Sequence, residues 1–374
     1  MKTSFLLWLF LCCSYIIKAQ ETAELITADT EAINMPLAQT NSTASIAKFV
    51  MANYQTEKER LRAIYSWVTY NIKYDSDSMY VINSGKDPET RITAALRRRK
   101  GVCENYAAIF NDIAVKCGIR SYEVAGYTKQ LGSVDKSAHT WCVVCIGGHW
   151  FCCDPTWDTG FSGYAKYFLV SPSLFIGSHM PFDPLWQLLD HTVSHSEFYQ
   201  GYTRSTKDKP VVNFADSVNA YTQLNELQQL ESATFRINQT GIANELVRTR
   251  LTWIQMQASM LYQEKDMNNY NAAVADLNNI NTIFNDFVQY RNNRFIPQKP
   301  DKEIKAMLAP IDSLLSAAYK KLDALDKSPA NFQYDPGLLR NRLATLSGRT
   351  TEQKDFLKRY FASAILEREK LFYQ

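Results

Sequence analysis

The chain has 374 residues, with 41 Lys or Arg against 38 Asp or Glu and a net charge of +3. So small an imbalance gives no electrostatic case for a nucleic acid or an anionic membrane as partner. The length and ordinary apolar content fit two domains with a sizeable core.

Met1-Lys2 opens a basic start, Phe5 to Cys13 is apolar, and Ile17-Lys18-Ala19 precedes Gln20. This is a signal-peptide pattern with cleavage after Ala19, so residues 1–19 are expected to be removed. The apolar run is short for a span, which takes about 20 residues. Leu11-Cys12 is a poor lipoprotein site because Leu11 is not small. No other stretch reads as a stable membrane span. The expectation is an exported protein: periplasmic, in the cell envelope or secreted.

Residues 20–55 form an N-terminal extension, polar and irregular to Thr43 (a tail or a lid), then a short helix over Ser45–Tyr54. Thr56-x-x-Glu59 is a capping-box pattern, and Leu61, Ile64, Tyr65, Val68 and Ile72 continue as one helical stripe. Asp75-Ser-Asp77 is a turn, since the rest of a calcium loop is missing. Ser84 to Pro88 is a loop. A helix over Ile92–Arg99 ends in a basic run capped by Gly101. Next, Tyr106, Ile109, Phe110, Ile113 and Cys117 fall on one helical face that Gly118 stops, which places Cys103 at or just before the first turn. Unpaired N–H groups and the positive dipole end meet there and favour a thiolate.

Tyr122–Thr128 reads as a strand and Lys129–Ser137 as a polar loop. Trp141–Ile146 and His149–Cys153 form a hairpin turning at Gly147-Gly148. That turn sets Ile146 opposite His149 and Trp141 opposite Asp154. His139 and Asp154 then share a face as diagonal neighbours, with Cα atoms roughly 7–8 Å apart. A slip of one residue would separate them. Nucleophile, base and orienting carboxylate, in the order Cys103, His139, Asp154, is the logic of covalent acyl transfer. Trp157 and Trp141 are candidate substrate-binding walls. The Cys103 N–H is half of an oxyanion site, and no side chain declares itself as the other half.

Past the signal, six cysteines remain, at 103, 117, 142, 145, 152 and 153. The hairpin sets Cys142 opposite Cys153, where a disulfide would sit near the outer edge of allowed geometry. Cys142 and Cys145, with Cys152, Cys153 and His149 nearby, have zinc-like spacing. An odd separation on one strand points Cys142 and Cys145 to opposite faces, so no metal and no cofactor is expected.

Gly101-Val-Cys-Glu-Asn-Tyr-Ala, His139-Thr-Trp and Asp154-Pro-Thr-Trp157 together resemble the transglutaminase-like superfamily core. The likeness is closest to the bacterial branch similar to kyphoscoliosis peptidase and the fungal cytokinesis proteins. It spans roughly Thr56 to Tyr199, including Asn71-Ile-Lys-Tyr-Asp75, Tyr167-Phe-Leu-Val-Ser-Pro172 and Pro184-Leu-Trp-Gln-Leu-Leu189. The resemblance implies an α+β, papain-like fold with the cysteine helix packed on an antiparallel sheet. It implies Cys103 as nucleophile, His139 as base and Asp154 as orienting residue. Where the family often has Asn after His-x-Trp, this chain has Cys142.

The core is expected over 56–202, a polar linker over 203–213, and a mostly α-helical domain over 214–374. Helical stripes run through Leu224, Leu227 and Leu230, Leu246 to Leu261, Ala272 to Phe287, Ile304 to Leu325 and Thr351 to Phe372, with prolines at 297, 300, 329 and 336 between them. This half reads as a bundle that positions a substrate or protein partner. Two functions are carried forward: a cysteine protease, amidase or transglutaminase acting on peptide or glutamine-like amides, and an inert envelope scaffold of the same fold.

Overall fold

Side-chain oxygens of Ser42, Thr56 and Asp87 start three helices that precede the cysteine helix. A computed structural model describes residues 29–78, 87–159, 165–202, 211–325 and 335–373. The expected signal peptide lies outside these residues, as does most of the expected linker.

In the first part of the chain the elements are α1 (Thr43–Asn53), α2 (Glu57–Asn71), β1 (Lys73–Tyr74), α3 (Pro88–Arg98), β2 (Lys100–Gly101) and α4 (Cys103–Lys116). They continue with β3 (Arg120–Gln130), β4 (Ser133–Ile146), β5 (His149–Cys153), α5 (Pro172–Phe175), β6 (His179–Pro181) and α6 (His195–Gln200). Thr56 and Glu59 form the expected capping box of α2. On α2, Leu61, Ile64, Tyr65, Trp67 and Val68 are almost wholly buried. Each contributes roughly 1.5–3 kcal/mol of burial. Residues 29–43 are no free tail: residues 29–33 are helical, Ala32 and Met35 are buried, and Asp29 bonds Arg62 and Ser66.

The sheet is antiparallel in the order β5-β4-β3-β6. The Gly-Gly hairpin has the expected register, with Ile146 opposite His149 and Cys142 opposite Cys153. The segment 129–137 is not a loop. Leu131 and Gly132, both at positive φ, turn β3 tightly into β4, so His139 sits within a long strand.

Both faces of the sheet are covered. Cys142, Val144 and Cys153 pack with α1, α2 and α4, while Val124, Trp141, Val143, Cys145 and Cys152 pack with Phe175 and Trp186. This explains why Trp141–Ile146 is apolar without alternation.

Gly126 on β3 faces both His139 and Pro181, its neighbours on β4 and β6. A Cβ there would lie 2.2 Å from the Met180 carbonyl oxygen and 2.4 Å from Trp141 Cη2. Gly126→Ala is expected to cost about 3 kcal/mol, because backbone must move, and urea unfolding measures it.

Contacts divide the chain into two units, residues 1–255 and 256–374. In the first, α7 (Phe214–Tyr221), α8 (Glu226–Thr240) and the start of α9 (Glu245–Asn292) follow the expected linker. Ile237, Val247, Leu251 and Ile254 pack with Tyr127, Met180 and Phe198. Arg236 holds Asp183 through two bonds of 2.7 Å.

The second unit contains the rest of α9, then α10 (Asp301–Ala306), α11 (Ala309–Asp323) and α12 (Pro336–Ala362) around one apolar cluster. The stripes 246–261 and 272–287 belong to one helix, because the polar stretch between them contains neither Pro nor Gly. The stripe 304–325 is broken between α10 and α11, where Pro310 starts the second helix. The last helix begins at Pro336, capped by Asp335, well before Thr351.

Candidate active site

Cys103 is the first residue of α4 and is half-buried. Its helix begins on Val102, which has no capping oxygen. Asn105 supplies one by reaching back to the Val102 N–H at 3.0 Å. A Cβ on Gly101 would lie 2.6 Å from that of Asn105. Gly101 is therefore the residue that lets Asn105 close the helix start. It does not cap α3, which ends instead on Arg99 in the left-handed region. The basic run is neutralised locally: Arg98 and Lys100 meet the buried Asp75 at 2.6 and 2.9 Å. Those cations occupy the carboxylate considered for calcium.

The Cys103 side chain lies close enough to the His139 ring to raise its proton affinity. His139 Nε2 lies 2.7 Å from Asp154 Oδ2. With Nε2 so engaged, Nδ1 is the ring nitrogen left for the thiol. His139 is 8% exposed and Asp154 fully buried. Burial alone would lower the His139 pKa, but the Asp154 charge and hydrogen bond, with the Cys103 side chain, carry it up to about 10. Burial would raise the Asp154 carboxyl, yet His139 and His179 hold it well below the usual range.

His179, on β6, was not singled out in the sequence. Its Nε2 lies 3.1 Å from Asp154 Oδ2 and its Nδ1 2.8 Å from the Ser178 hydroxyl. The other Asp154 oxygen accepts the N–H groups of Thr156 and Trp157 at 2.9 and 3.3 Å. Behind the site, the Tyr65 hydroxyl contacts the Asp154 carbonyl at 2.8 Å and Asp158 Oδ2 at 2.5 Å. Asp158 also accepts the Tyr167 N–H at 2.7 Å, which ties the following segment to this loop.

The two tryptophans differ. Trp157 is half-buried, with its ring 5.8 Å from His139 and 4.4 Å from His179, and it borders the site. Trp141 is 1% exposed and packs against Phe175 and His179. It shares the face of His139 but offers no surface to a substrate, because its ring packs over Gly126 and against Phe175 and His179.

None of the six described cysteines is disulfide-bonded. The Cys142 thiol donates to the Ala107 carbonyl, and Cys153 accepts the Leu169 N–H, so each has a separate partner. Cys142 and Cys145 lie in clusters on opposite faces of the sheet, as alternation requires. Among the described residues, one set of three ligating side chains converges: atoms of His139, Asp154 and His179 lie within 4.8 Å of one another. Both Nε2 atoms already face one carboxylate oxygen, so hydrogen bonds satisfy the set as it stands. No helix among the described residues is long and apolar enough to cross a membrane.

Residues 44–155 match the family model of the transglutaminase-like superfamily core. Kyphoscoliosis peptidase is 32% identical in human and 31% in mouse over 160 residues, covering 38% of this chain and 24% of each relative. The chain thus aligns with about a quarter of the length of these relatives. A solved structure described as a TGase is 16% identical, covers 59% of this chain and 52% of its own, and superposes with a TM-score of 0.27. The matched region ends one residue after Asp154 and contains the antiparallel hairpins and the cysteine helix. Over residues 44–155, therefore, this chain carries a transglutaminase-like domain.

Proposed function

We propose that this chain is an exported cysteine acyl-transfer enzyme acting on amides of peptides or proteins. The observation that supports it is the convergence of Cys103, at the tip of its helix, with the His139 ring and with Asp154, whose carboxylate lies 2.7 Å from His139 Nε2. In this reading the Cys103 sulfur attacks the amide carbonyl carbon. The backbone N–H of Cys103, which has no partner within the helix, faces the developing oxyanion. His139, holding the thiol proton, delivers it to the leaving nitrogen as the C–N bond breaks, and a thioester remains. Water or an amine then attacks. His139 takes its proton, and the sulfur leaves as thiolate. Water gives a peptidase or amidase, an amine a transglutaminase. Asp154 keeps the ring oriented. Trp157 borders the acyl group, and the C-terminal helices present a substrate or protein partner. Export rests on the pattern of residues 1–19.

The inert-scaffold reading calls for a Cys103 that is buried or apart from His139. Cys103 is instead half-exposed and near enough to His139 to act on its proton affinity.

Iodoacetamide provides the test. Cys103 is expected to be labelled first, about tenfold or more faster than glutathione near pH 7. Cys117, Cys142, Cys152 and Cys153 are buried, and burial pushes their thiol pKa values up. Peptide mass mapping reads the order, and labelling of Cys103 no faster than glutathione sinks the proposal. On a substrate, ammonia release with and without an added amine separates transfer from hydrolysis.

A further inference from the structure

Asp154 bonds two imidazoles, and the proposed reaction uses only one. We infer that His179 is a positioning residue: its Nε2–H holds the Asp154 carboxylate in place and takes up part of its charge, which sets how firmly His139 keeps its proton. This rests on the acyl-transfer reading.

The geometry fixes the direction of each bond. Asp154 is ionised and can only accept, so His179 Nε2 carries a proton and donates it at 3.1 Å. His179 Nδ1 must then accept, and the Ser178 hydroxyl donates to it at 2.8 Å. The ring is held in one tautomer and one plane, with Phe175 stacked at 3.9 Å and Trp157 at 4.4 Å. Asp154 thereby receives hydrogen bonds on both oxygens, two on each. Without the His179 bond, Oδ2 would have His139 as its one remaining partner, and the carboxylate could turn about its own axis.

Strand pairing brings the two rings together. Gly126 is paired with His139 on one side and Pro181 on the other. His179 is two residues from Pro181, so it shares the face of His139. Between them β3 presents a glycine, and the Trp141 ring takes the space a side chain there would fill.

The titratable and charged groups acting on His179 are Asp154, His139 and Asp135, with the Tyr167 ring 5.6 Å away. Burial first of all brings His179 down to about 4 despite both carboxylates. Between about pH 4 and about pH 10 it is neutral while His139 is charged, so the carboxylate faces one cation and one neutral donor. A second cation there would compete with His139 for the same oxygen.

The chain's five histidines make the test tractable. Ring-nitrogen NMR of the full chain, labelled at histidine, follows the pH at which His139 loses its proton. In His179→Phe, which keeps an aromatic ring but no donor, Asp154 has more charge for His139. The proton affinity of His139 is expected to rise about tenfold, one pH unit. His179→Gln retains an N–H donor and is expected to restore the wild-type titration. Ser178→Ala frees the other His179 tautomer and is expected to move His139 the same way by about threefold. Should His179→Phe not fold, Ser178→Ala decides. A His139 titration unchanged in the folded variants overturns the role of His179. Iodoacetamide labelling of His139→Ala separates the two readings. If that variant labels Cys103 as fast as wild type, the acyl-transfer reading itself fails. If it labels slowly while the His179 and Ser178 variants leave His139 unmoved, only the role of His179 is lost.

Discussion

Exchanging Cys103 for alanine is expected to lower turnover of any amide substrate of the wild-type chain by about 10⁴-fold or more. No other described nucleophile lies against His139, and the remaining thiols are buried apart from it. His139→Ala should cost nearly as much, since the ring both accepts the thiol proton and returns it. The double variant is expected to be no slower than either single one, because members of such a unit act together. Asp154→Asn is expected to fall by about 10³–10⁴-fold, mainly in kcat, because the ring loses its orienting charge. An amide also meets four donors with one oxygen and one NH₂ group, so two of the present bonds must break. Steady-state kinetics on purified variants checks the series. Additive losses in the double variant would show that Cys103 and His139 do not act in one step.

The second large effect is on stability. Asp154→Ala is expected to cost about 3–5 kcal/mol, because it removes a buried charge and leaves buried donors facing a void. Urea unfolding measures this. The same cluster sets the pH profile. His139 is raised to about 10, so its contribution is complete below the unfolded value near 6.5 and is lost as pH rises toward 10. His179 and His195 are lowered by burial to about 4. For these the unfolded chain binds protons that the folded chain refuses, so stability falls as pH drops from about 6.5 to about 4, by up to about 3 kcal/mol each. Asp154, held low, keeps its contribution above the ordinary carboxylate range and loses it only as pH falls further. Glu123 and Asp158, raised chiefly by burial, partly offset the acid slope.

The wild type is therefore expected to be most stable near pH 6.5. His195 lies away from the site, between the Tyr127 hydroxyl at 3.1 Å and the Phe182 carbonyl at 3.0 Å. Its replacement should shrink the acid slope and leave the alkaline one. A midpoint that keeps rising between pH 7 and 9 would contradict the charge assignment of His139.

Local signals carried much of this protein. Gly147-Gly148 specified a two-residue turn, the turn specified the register, and the register put His139 and Asp154 on one face. The apolar stripe after Cys103 gave its helix, and the Thr56 and Glu59 capping box gave α2. Each depends on residues within a few positions of one another, where backbone geometry alone decides. Non-local pairing was not legible in this way. His179 reaches Asp154 only because β6 adds to the far edge of β3, and three residues with no strong strand signal do not announce that partner. The burial of Trp141 depended on Gly126 lying beneath its ring, which no periodicity reveals. Sequence by itself determined the cysteine helix, the capped α2 and the Gly-Gly hairpin with its alternation, because those are properties of short stretches of backbone. Only the tertiary structure decided what Asp154 is bonded to, because that required segments distant in the chain to close over one carboxylate that could not be left unpaired away from water.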